Sequence, residues 1–195
     1  MSMDVRIDKH LVNNELLRHF SDQEQQLYQY AASLQGTMED KAQHLRESGV
    51  FAAYRQLHTQ YLVAFHAAAD DASRLELLKR LTFINWYHLA EPSCFTGIDD
   101  LDEATIRAVY ALLDEYLRHD KLDAELRWML AYYASWEYTI LTFIDEGLTA
   151  LPAFVQEHAS SSAPAPYHQL PKHSMDHRGQ LGKYWQAVGV EVAAG

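Results

Sequence analysis

Residues 122–146, LDAELRWMLAYYASWEYTILTFIDE, decide the fold. Leu122, Leu126, Met129, Tyr133, Trp136, Ile140 and Phe143 recur at spacings of three and four, and Leu130, Glu137, Leu141 and Ile144 make a second stripe beside them. A helix with two such faces touches neighbours on both sides, so this stretch predicts a long helix at the centre of an all-α packing. Gly147 is its natural stop. Arg127, Glu137 and the tyrosines make it a buried helix rather than a membrane span.

Working outward, the same periodicity repeats. Ala72 to Ala90 holds Leu75, Leu77, Leu78, Leu81, Phe83, Ile84, Trp86, Tyr87 and Leu89, which cover most of the circumference in the second half and place that half inside. Asp70-Asp71 starts this helix, because carboxylates satisfy exposed amides and complement the helix dipole, and Pro92 ends it. Phe51, Tyr54, Leu57, Tyr61, Leu62 and Phe65 line one face of a helix reaching about Ala69. Ile106, Val109, Tyr110, Leu113, Tyr116 and Leu117 line another, opened by the acidic cluster Asp99–Glu103, with Arg107, Asp114, Glu115 and Arg118 toward water. Nearer the N-terminus, Ser21-Asp-Gln-Glu24 reads as a capping box, which predicts one helix from about Asp4 to His19 and a second from Ser21 to Leu34. Short helices are expected at Thr37–Glu47 and Thr149–His158.

Together these give one all-α domain of six or seven helices over residues 1–158. Ser160–Pro166 then breaks the composition as a Ser/Pro linker. Residues 159–195 are glycine- and proline-punctuated and predict an irregular C-terminal arm, with Tyr167, Tyr184 and Trp185 to be covered. The chain of 195 residues carries a net charge of −11. Lys172, Arg178 and Lys183 against Asp176 and Glu191 make the arm slightly positive, so it is expected to lie on the acidic body. That balance disfavours a phosphate-binding role, so no nucleic-acid partner is expected. Cys94 is the sole cysteine, and residues 1–10 lack the pattern of a secretory signal; a reducing, cytoplasmic setting and no membrane are the expectation.

The residues with most chemical interest lie near positions 85–97. Asn85, His88 and Glu91 stand three apart beside Trp86, a polar row among aromatics where proton affinities shift. His88 and Glu91 are at most half of a metal site, and the Glu-x-x-His pairs of di-iron bundles are absent, so no metal or cofactor is expected. Glu137, flanked by Leu130, Tyr133 and Leu141, is expected to be buried with a partner. Trp128 and Tyr133 add aromatic surface that suits a flat ligand such as haem, with His88, His58 or His19 as candidate ligands to it. Elbow, phosphate-loop and zinc-protease motifs are absent. Two readings follow: an acidic, non-catalytic binding protein with a basic protein partner, of adaptor or toxin-neutralising type, or a small helical ligand-, haem- or metal-binding enzyme with an aromatic pocket around His88 and Glu137. A homodimer is compatible with either.

Overall fold

The computed structural model of the protein describes residues 9–159 and 173–193. These residues are helical throughout, without strands: α1 Lys9–Ser33, α2 Met38–Glu47, α3 Val50–Ala67, α4 Asp71–Ala90, α5 Ser93–Thr96, α6 Glu103–Arg118, α7 Ala124–Tyr133, a 3-10 turn Ala134–Trp136, α8 Glu137–Leu141, α9 Ala150–Ala159 and α10 Gly179–Ala193. The one-turn elements and the divided 122–146 stretch take the number of segments above six or seven. Among the described residues no helix is long and apolar enough to cross a membrane.

Side chains with free backbone amides in reach set the helix starts. Asp70 accepts from the Ser73 amide at 2.8 Å, Asp102 from Thr105 at 2.8 Å and Asp123 from Leu126 at 2.8 Å. Thr37 and Asp40 form a reciprocal capping box at α2. α3 and α4 pack as an antiparallel pair, and α4 also meets α6, α7, α8 and α10. Leu77 to Trp86 is buried without interruption, so α4, and not the 122–146 stretch, is the centre of the core.

Several expectations are corrected. Ser21 does not start a helix: its hydroxyl lies 2.8 Å from the Leu17 carbonyl, the back-bond of a residue inside a helix, and α1 runs through it. Residues 122–146 do not form one helix. Ser135, Thr139 and Thr142 hydroxyls bond the carbonyls of Tyr132, Trp136 and Tyr138, and the chain turns at Trp136 (φ −109, ψ 62). Asp114 does not face water; it is buried and accepts from the Leu151 amide at the start of α9, at 2.9 Å.

The C-terminal arm is not irregular where it is described, because α10 packs on α1 and α4. Its glycines lower helix propensity but permit close approach: a Cβ on Gly182 would sit 2.1 Å from the Met175 carbonyl oxygen. Burial of Leu181 and Trp185 then outweighs propensity. The linker Ser160–Pro166 lies outside the described residues.

Candidate functional site

The polar row on α4 separates in space. Asn85 is fully buried and its Nδ2 donates to the Ile106 carbonyl at 3.2 Å. His88 is half-buried, its Nε2 3.9 Å from Asp99 Oδ1. Glu91, one residue past the helix end, is exposed, so it joins neither. α3 instead brings His58, fully buried, beside Asn85. Both His58 ring nitrogens, Asn85 Oδ1, His88 Nδ1 and Trp86 Nε1 are shielded from solvent without a hydrogen-bond partner among the described residues. Burial lowers the His58 pKa to about 4, against the opposing influence of Asn85 and Asp102. Burial lowers that of His88 too, with Asp99 and Asp100 opposing. The His58 ring is therefore neutral at pH 7, in a part of the core that excludes charge. Among the described residues no group of three or more His, Cys, Asp or Glu side chains is placed to hold a metal ion.

The aromatic residues gather as expected, but around one another. Trp86 stacks on Tyr133 with ring centroids 4.5 Å apart, and Tyr184 meets Trp86 edge-on at 5.2 Å. Trp185 lies 4.4 Å from Trp128, and its indole N–H donates to the Tyr133 hydroxyl at 3.2 Å. The volume that the sequence offers to a flat ligand is thus filled by Tyr184 and Trp185 of α10. Glu137 is corrected as well: the turn at Trp136 points it to solvent and Thr139 and Ile140 inward.

The largest polar constellation is one that sequence reasoning missed. Glu24 of α1 is 1% exposed; Tyr61 donates to its Oε1 at 2.5 Å and the Gln180 amide to its Oε2 at 2.8 Å. It thereby caps α10. Gly179 precedes with φ +59, and a Cβ there would come within 2.5 Å of the Glu24 carboxylate. Burial raises the Glu24 pKa, with Tyr61 and Arg80 holding it down.

Arg80 binds Glu76 at 2.8 Å, Ser21 at 2.6 Å and the carbonyl of His177 at 3.2 Å. Arg178 reaches Glu76 at 2.6 Å and Glu125 at 2.8 Å, and Lys79 reaches Asp123 at 2.6 Å and Glu125 at 2.5 Å. Gln180 Nε2 adds bonds to Tyr54 and to the Thr96 carbonyl. The signal in the sequence was Lys79-Arg80 inside an otherwise apolar run and Glu24 one turn from Phe20 and Leu27 on one helix face.

Lys79, Arg80 and Arg178 are buried, as are Glu24 and Asp114, and among the described residues the exposed charges are 17 carboxylates against five Lys or Arg. Where α5 packs against α1 and α2, large apolar side chains also lie exposed: Tyr30 at 41%, Met38 at 48% and Phe95 at 49%. Lys41 Nζ sits 5.7 Å from the Phe95 ring centre, and Glu39 and Asp40 are exposed beside Met38. Compared with family models, curated proteins and solved structures, the chain matches none.

Proposed function

We propose that this is a non-catalytic docking protein whose acidic helical body engages a basic protein partner, as an adaptor or a toxin-neutralising protein would. The observation that carries this reading is the balance of exposed charge, 17 carboxylates against five Lys or Arg among the described residues. A surface of one sign accelerates encounter with the opposite sign and repels phosphate backbones, which argues for a protein partner and against nucleic acid. Tyr30, Met38 and Phe95 supply the apolar contact that charge alone lacks, since a few large side chains near the centre carry most binding energy in protein interfaces. The fitting partner surface is an amphipathic helix with Lys or Arg around an apolar stripe. A cytoplasmic setting goes with this reading, supported by the single, buried Cys94.

The test is the association rate of the full chain with a helical peptide of leucine and lysine, followed from low to high salt. The rate is expected to fall about tenfold or more as salt screens the field. Phe95→Ala should leave that rate unchanged and speed dissociation about tenfold. A salt-independent rate, or a Phe95→Ala complex as long-lived as the wild type, contradicts the reading.

A further inference from the structure

A second cleft lies at the opposite end of the α3–α4 pair, where α3 ends, α4 begins and the last turns of α6 pass by. It encloses about 550 Å³, within the size of ordinary small-molecule sites. Phe65, Leu75, Leu112 and Tyr116 make an apolar floor. Phe65 is buried and its ring centre lies 6.1 Å from that of Tyr116.

The rim carries two cations, Arg74 and Lys121, and two carboxylates, Asp71 and Glu115. Lys121 is exposed, its Nζ 5.9 Å from the Tyr116 ring centre, and among the described residues no carboxylate pairs with it. Arg74 gives one nitrogen to Asp71 at 3.1 Å, and His66 stands edge-on to Phe65 at 5.4 Å. Glu115 also lines the cleft, which sets it against ligands of high negative charge.

We propose that this cleft binds a small aromatic monocarboxylate, its ring on the floor and its carboxylate between Lys121 and Arg74. A flat ring matches a floor of two aromatic and two leucine side chains, and a single carboxylate answers the one unpaired cation. The proposal is independent of the docking reading, since it uses none of the residues of the α1–α2–α5 face.

The test is calorimetric titration of the full chain with phenylacetate, and with phenylacetamide as its neutral counterpart. Phenylacetate is expected to bind saturably and the amide about tenfold more weakly, as loss of a charge-assisted contact implies. Lys121→Gln, a substitution at an exposed position, should weaken phenylacetate by a similar factor, while Phe95→Ala should leave it unchanged. Absence of saturable binding, equal affinity for acid and amide, or an unaffected Lys121→Gln variant would overturn the proposal, and none of these outcomes bears on the docking face.

Discussion

The charges inside this molecule and those on its surface are built from the same residue types and do opposite work. Inside, each cation meets more than one acceptor: Lys79 has Asp123 and Glu125, Arg178 has Glu76 and Glu125, and Arg80 has Glu76 with Ser21 and the His177 carbonyl. Outside, pairs such as Arg127–Asp120 are solvated, and exposed pairs of this kind contribute about 0–1 kcal/mol. The buried set fixes how α1, α4, α7 and α10 fit together, its three cations matched by the carboxylates of Glu24, Glu76, Asp123 and Glu125.

The comparison breaks most visibly at Arg80. Arg80→Ala leaves Glu76 and Glu24 short of a buried partner and should lower stability by about 3–5 kcal/mol in urea unfolding. Gly179→Ala should cost about 1–3 kcal/mol, because a side chain at φ +59 is strained and meets the Glu24 carboxylate.

The neutral pocket at His58 sharpens the contrast through pH. The folded pKa of about 4 lies below the unfolded value, so as pH falls the unfolded chain takes up a proton that the folded one refuses. Stability should decline between about pH 6.5 and pH 4, by up to about 3 kcal/mol. His58→Leu should remove that slope, and the difference between variant and wild type isolates it from Glu24, whose raised pKa acts in the opposite sense. At the small end, Glu137→Ala should change stability by no more than about 0.5 kcal/mol, as at any exposed position.

Helices and their starts were legible because they are local: Asp70 and the acidic cluster before α6 announce themselves within one turn, and apolar stripes mark which face turns inward. The errors share one cause, tertiary partners far along the chain. Ser21 resembles a cap until its hydroxyl is seen near the carbonyl of His177, 156 residues away, at 2.5 Å. Residues 179–193 look like poor helix until Glu24 caps them and Trp185 enters the core. Glu137 looks buried only if the helix around it is continuous. Of the candidate site, the gathering of Trp86, Trp128 and Tyr133 was readable from spacing, whereas the arrival of Tyr184 and Trp185 among them was not.

The docking claim is tested most directly by mapping amide shifts of the full chain during titration with the leucine–lysine helical peptide. The account predicts saturable shifts concentrated around Tyr30, Met38 and Phe95, diminished in the Phe95→Ala protein. Shifts spread evenly over the acidic surface, or centred away from α1, α2 and α5, would contradict it.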